Sequence, residues 1–246
     1  MRKIRNTLTI LITMWCLWSR SAEAQLTDYF NFNNLSNGDL NNQSGWTNEW
    51  NSLIVQDTEV YAGKAIKNHS DYAGLTYQEF PTEAKNEGEV SFVFKIDNNY
   101  YADMQEIVGI YNGIGEVNLV NIRFVNNYDD YNNALLAFTA DYPQGLLLGE
   151  VTQGSWSQLT ISWRQKDARL RIKYNSFLSP WINSSSMWDN QSQLGIRVHL
   201  PGAQNYGNFY FDTLHEDGIV NSTTMQSLND EQITDEQITT VDYIAY

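Results

Sequence analysis

Three short stretches hold the residues best suited to chemistry. In 115–123, Glu116, Asn118, Asn121 and Arg123 fall within or beside a segment, Val117–Val125, that reads as a strand. An asparagine amide donates and accepts at once, which suits sugar hydroxyls, so these four residues form one candidate glycan-binding face. In the polar stretch Asn175–Gln193, Trp181 and Trp188 have no alternating apolar partners. An indole at a loop tip can stack against a pyranose ring and cover its C–H surface. Third, Arg197 and His199 lie two apart and therefore share one strand face, with Tyr210 on a strand that could neighbour theirs. Arginine against a uronate carboxylate, with His or Tyr abstracting a proton, is the equipment of an eliminating lyase. The plainer reading, a solvent-facing histidine on a strand, is the one the sequence favours. His69, His199 and His215 are too scattered for a zinc site, and there is no G-x-S-x-G elbow or phosphate loop.

These residues need a frame, and the clearest part of it is Gly154–Asn175. Leu159, Ile161 and Trp163 alternate with polar residues, a polar turn follows at 165–167, and Leu170, Ile172 and Tyr174 then alternate with Arg169, Arg171 and Lys173. That is an antiparallel hairpin with one buried face. Trp46, Trp156 and Trp163 are assigned to the core. Val90, Phe92, Phe94 and Ile96 alternate in the same way, as do Leu194, Ile196, Val198 and Leu200. Further strands are expected at 29–32, 53–60, 73–80, 105–111, 134–140, 146–151, 208–214 and 239–246. Only 234–238 invites a helical turn. Short strands separated by turn signals predict an all-β fold, a two-sheet antiparallel β-sandwich or jelly roll.

Composition bounds the setting. Arg2, Lys3 and Arg5 precede an apolar run, Leu8–Trp18, and Ala22-Glu23-Ala24 has the small-x-small form of a signal-peptidase site. Residues 1–24 are therefore expected to be a signal peptide and 25–246 one secreted domain, extracellular or periplasmic. No segment reaches the roughly 20 apolar residues of a membrane span. The only cysteine, Cys16, lies in the leader, so no disulfide is expected. The chain carries 15 Lys and Arg against 29 Asp and Glu, a net −14; loss of Arg2, Lys3, Arg5, Arg20 and Glu23 with the leader takes it to −17. Such a surface repels nucleic acid, anionic membranes and polyanionic polysaccharides unless a local basic patch exists, and remains compatible with neutral glycans.

Three stretches resemble the concanavalin A-like lectin/glucanase superfamily of jelly rolls. They are the Trp156 hairpin, similar to its W-x-x-L-x-I-x-W strand, the early run Phe30–Trp46, and the terminal Thr240–Tyr246, which looks like the closing strand of laminarinase-type glucanases. Those enzymes carry E-x-D-x-x-E on a central strand of the concave sheet. The corresponding residues here are Glu116, Asn118 and Asn121. Retaining hydrolysis needs two carboxyl groups about 5 to 5.5 Å apart, and an asparagine cannot donate and recover a proton, so Glu116 alone cannot run it. A partial match to the motif at Asp103–Glu106 reads as coincidence. The resemblance also implies a structural Ca2+ with Asp242 as ligand and carbonyls near Gly38–Asp39 completing the oxygen shell. The expectation is a secreted jelly roll that binds a poly- or oligosaccharide without cleaving it. The alternatives are a hydrolase or lyase with an atypical site, and a structural or adhesive exported protein.

Overall fold

A computed structural model describes residues 24–25, 32–48, 53–69, 73–80, 87–97, 104–112, 117–126, 131–164, 167–184, 194–202 and 207–213. Its strands, in chain order, begin with β1 (Ala24–Gln25), β2 (Gly38–Asp39), β3 (Thr47–Asn48), β4 (Ile54–Gln56), β5 (Ala65–Lys67) and β6 (Gly74–Glu79). The long strands follow: β7 (Glu87–Ile96), β8 (Met104–Asn112), β9 (Val117–Val125), β10 (Ala134–Phe138), β11 (Leu146–Glu150), β12 (Trp156–Arg164) and β13 (Arg169–Tyr174). The last are β14 (Phe177–Leu178), β15 (Ile182–Asn183), β16 (Leu194–Leu200) and β17 (Phe209–Thr213).

They form an antiparallel two-sheet sandwich, as the alternation predicts. One sheet of ten strands runs β14-β13-β12-β7-β17-β5-β4-β2, with β1 added parallel to β7 and β15 to the end of β13. The other, of seven, runs β11-β10-β9-β8-β16-β6-β3. The chain changes sheets at β2–β3, β3–β4, β5–β6, β6–β7, β7–β8, β11–β12, β15–β16 and β16–β17. Strands adjacent in sequence therefore often face each other across the core instead of pairing.

The core lies between the sheets because one alternating set from each strand points inward. Phe92, Phe94, Phe209 and Phe211 come from the ten-stranded sheet, and Ile110, Val120, Ile122, Phe124, Ile196 and Val198 from the other; all are buried. Trp163 stacks on Phe80 at 5.0 Å and 4° between planes, which closes one part of the core with two flat rings. Trp46 stacks with Phe32 at 5.8 Å.

Three expectations change. Phe32–Asn34 is a short 3-10 turn, with Phe32 buried in the core, and the expected 29–31 part of a first strand lies outside the described residues. Trp156 is not a core residue. It pairs with Lys95 on β7, and the inward set of its strand is Ser157, Leu159, Ile161 and Trp163, so the indole sits on the outer face. Arg197 and His199 do not share a sheet with Tyr210: the first two are on β16 of the seven-stranded sheet and Tyr210 is on β17 of the other. Period two gives the face a residue occupies on its strand, but sheet membership follows from crossovers that carry no local signal. The expected helical turn at 234–238 and closing strand at 239–246 lie outside the described residues.

Candidate functional site

The outer face of the seven-stranded sheet brings together a set of polar side chains from five adjacent strands. Register fixes one row: Tyr77 on β6 pairs with Arg197 on β16, Arg197 with Gly109 on β8, Gly109 with Asn121 on β9, and Asn121 with Phe138 on β10. A flanking row holds Glu106 opposite Arg123, after a bulge at Ile107, and His199 lies two residues from Arg197 on the same side of β16.

Two outward glycines shape this surface. A Cβ at Gly109 would stand 2.6 Å from the Tyr111 ring, and one at Gly195 would stand 2.6 Å from the ring and hydroxyl of Tyr77. Both tyrosines therefore lie down along the sheet over a residue without a side chain, and both are buried. The Arg197 guanidinium rests on the Tyr111 ring, Cζ 3.9 Å from its centroid, a cation–π contact. The Tyr111 hydroxyl donates to Glu106 Oε1 at 3.1 Å, and Arg197 Nη2 donates to the same oxygen at 3.2 Å. Glu106 and Arg197 side chains are only 14% and 18% exposed, so this ion pair works in a poorly solvated setting.

Arg123 is held separately. Its Nε donates to Asn121 Oδ1 at 3.1 Å, and its guanidinium lies 4.6 Å from the Phe138 centroid. Burial lowers the His199 pKa below the ordinary 6.5; the Glu106 carboxylate opposes that shift and Arg197 adds to it. The imidazole is therefore held neutral near neutral pH. The arrangement presents two guanidinium groups, a neutral imidazole and an amide around one carboxylate. It can bind hydroxyls and carboxylates, and its imidazole can accept a proton.

The structure thus gathers Asn121 and Arg123, of the sequence-derived set, with Glu106, Tyr111, Tyr77, Arg197 and His199. Asn118 is placed by its backbone opposite Tyr111 in the ladder. Glu116, Trp188 and Asp242 lie outside the described residues. Asp39, expected near a calcium, has its Oδ1 taken by the Asn41 N–H at 2.8 Å and its carbonyl by the Gln43 side chain at 2.5 Å. Among the described residues no three His, Cys, Asp or Glu side chains form a group able to hold a metal. Trp181 lies elsewhere, against the ten-stranded sheet, where Arg164 and Arg171 stand over its ring with Cζ at 3.8 and 4.8 Å. Sequence reasoning passed over Glu106, Tyr111 and Tyr77. Their signal was faint: a glycine two residues before a tyrosine on a strand, Gly109 and Tyr111, marks an aromatic ring that can lie back over its own strand.

Comparison with known proteins places the fold. No family model matches the chain and no curated protein matches its sequence. Among solved structures, alginate lyase Aly36B aligns with a TM-score of 0.52 at 13% identity, over 74% of this chain and 93% of the lyase. A variant of that enzyme in complex with alginate trisaccharide gives 0.53. A sialidase aligns at 0.47 and 10% identity over 72% of this chain, which spans only 18% of that protein. At these identities the likeness is one of fold: a β-sandwich.

Proposed function

We propose that this protein recognises a polysaccharide through the outer face of its seven-stranded sheet. The observation that carries the reading is the row Tyr77–Arg197–Gly109–Asn121–Phe138 with Glu106, Arg123 and His199 around it. Polar groups held rigidly by rings and ladder pairing need little reordering when a ligand arrives. Membership of the concanavalin A-like superfamily and binding without hydrolysis are part of this proposal, motivated by the resemblance that sets Asn118 and Asn121 of β9 against the acids of laminarinase-type enzymes. Trp188 and Glu116 remain proposed contacts on the sequence argument alone. Trp181, packed under Arg164 and Arg171 on the other sheet, is left out of this site. Export under the leader 1–24 and a calcium at Asp242 belong to the same proposal. Among the described residues no helix is long and apolar enough to cross a membrane.

A second reading, elimination on a uronate chain, is favoured by the neutral His199 beside Arg197 and by the fold shared with an alginate lyase. Despite the acidity of the whole chain, two arginines stand on this face, Arg197 bonded to Glu106 and Arg123 opposite it in the ladder. A glycan array combined with assays for reducing ends and for the ultraviolet-absorbing unsaturated product separates the two. Binding that is lost in Arg197→Ala, with no product, supports recognition. Unsaturated product that disappears in His199→Ala supports the lyase. Wild-type-like binding by Arg197→Ala and Asn121→Ala overturns the assignment of the site.

A further inference from the structure

The outer face of the ten-stranded sheet, on the opposite side of the sandwich, carries another ordered row. Trp156 on β12 pairs with Lys95 on β7, Lys95 with Tyr210 on β17, and Tyr210 with Lys67 on β5. Aromatic and cationic side chains thus alternate across four strands. The loop between β4 and β5 adds a third ring. Tyr61 meets Trp156 edge-on at 5.8 Å, and Trp156 lies 6.4 Å from Tyr210. Tyr61 is 43% exposed, unusual for so large a ring.

That exposure is built in. The Tyr61 and Ala62 N–H groups both donate to Oδ2 of the fully buried Asp212, at 3.1 and 3.0 Å. Gln56 Oε1 accepts from Thr58 N and Glu59 N at 2.7 and 2.8 Å, while its amide returns a bond to the Glu59 carbonyl at 2.5 Å. At the far end of the loop Lys64 N donates to Asn33 Oδ1 at 2.6 Å. A loop fixed at three points holds an exposed tyrosine in one position, which is the arrangement that lowers the entropic cost of binding.

We propose that Tyr61, Trp156 and Tyr210 form a second glycan-binding surface, one that takes the pyranose rings of a neutral polysaccharide. The inference rests on the reading that the protein serves a polysaccharide. Aromatic rings supply the apolar contact for sugar C–H faces, and Lys95, Glu59 and the Tyr210 hydroxyl supply hydrogen bonds at the rim. Charge selects the ligand. Lys95 is paired with Glu59 at 2.6 Å, and Asp97 near Tyr210 accepts from Asn208 Nδ2 at 2.7 Å. Lys95 and Lys67 stand here against Glu59, Asp97 and the buried Asp212, so the patch carries no net positive charge and a polyanion has no attraction to it.

The test is affinity gel electrophoresis of the full chain in laminarin, xylan, galactomannan and alginate. Retardation by at least one of the three neutral polymers is expected. Tyr61→Ala and Trp156→Ala should each weaken it about five- to tenfold, the scale of one lost aromatic stacking contact. Tyr142→Ala, which removes a comparably exposed ring from the loop before β11, should match wild type. Tyr61→Ala is the decisive variant, because the loop backbone keeps its bonds to Asp212 and thermal unfolding can show that it folds. The second surface is overturned if no neutral polymer retards the chain, whether or not alginate does, or if Tyr61→Ala and Trp156→Ala both behave as wild type. Loss in Arg197→Ala alone keeps the seven-stranded face and removes this one, and loss in the two aromatic variants alone does the reverse. Tyr61-dependent binding of a protein with no glycan retarding the chain also overturns it.

Discussion

The two outer faces of the sandwich each hold an ion pair, and the shorter pair is the weaker one. Lys95 Nζ lies 2.6 Å from Glu59 Oε1 on the ten-stranded sheet, and Arg197 Nη2 lies 3.2 Å from Glu106 Oε1 on the seven-stranded sheet. Distance alone would rank Lys95–Glu59 first. Solvation reverses the order, because the Glu59 side chain is 43% exposed and Glu106 only 14%. Water reaches Glu59 and screens the first pair, although Lys95 itself is only 16% exposed. The second is enclosed by the Tyr111 ring and shares its oxygen with the Tyr111 hydroxyl, so neither partner can be removed without stranding the other. One face is thus a rigid charged cluster and the other a half-buried aromatic row that Tyr61 opens to solvent.

Breaking that contrast should show most at Glu106. Glu106→Ala leaves the Arg197 guanidinium and the Tyr111 hydroxyl without their acceptor, and should cost about 3 kcal/mol in urea denaturation. Glu106→Gln restores an acceptor and should recover part of it. A cost for Glu106→Ala no larger than that of Glu59→Ala would erase the difference between the faces. Next comes Gly195→Val, whose Cβ would land within 2.6 Å of the Tyr77 ring. Lifting that ring off the sheet should cost about 2 kcal/mol and distort the Arg197 row, so polysaccharide binding should fall with stability.

His199 sharpens the contrast through pH. Its folded pKa lies below 6.5, its ordinary value, so the unfolded chain binds a proton that the folded chain does not. The stability it protects is complete above about 6.5 and falls as the pH drops below that value, by at most about 1.4 kcal/mol per pH unit. His199→Gln should flatten that part of the profile, measured by thermal unfolding between neutral and mildly acid pH. An unchanged profile would mean that the imidazole is well solvated. The smallest effect is expected from Glu59→Ala, below about 1 kcal/mol and fading with added salt, because exposed pairs are screened.

Much of the frame was legible. The strands β7, β12, β13 and β16 follow from alternation, since a sheet with one buried face must repeat every two residues. Trp156 shows the limit of that argument. It heads a strand whose inward set is the odd-numbered residues, and its aromatic character suggested burial, but register puts it beside Lys95 on the outside. Glu106 shows the opposite limit. As part of a partial acid motif it looked accidental, and only the bulge at Ile107 and the Gly109 gap reveal that it anchors Arg197 and Tyr111. Asn121 and Arg123 were read correctly as neighbours on one strand face, though what faces them across β8 and β16 was not visible.

By itself the sequence determined the strand periods, the all-β class and the acidic balance, because each depends on residues close together in the chain or on a simple sum. The tertiary structure decided which strands became neighbours. Arg197 and His199 look equally well placed to meet Tyr210 or Tyr111 in a linear reading. The crossover between β16 and β17 sends Tyr210 to the other sheet, while ladder pairing lays Tyr111 beneath Arg197. A site assembled from five strands is a property of pairing across long sequence separations, and no local pattern encodes that.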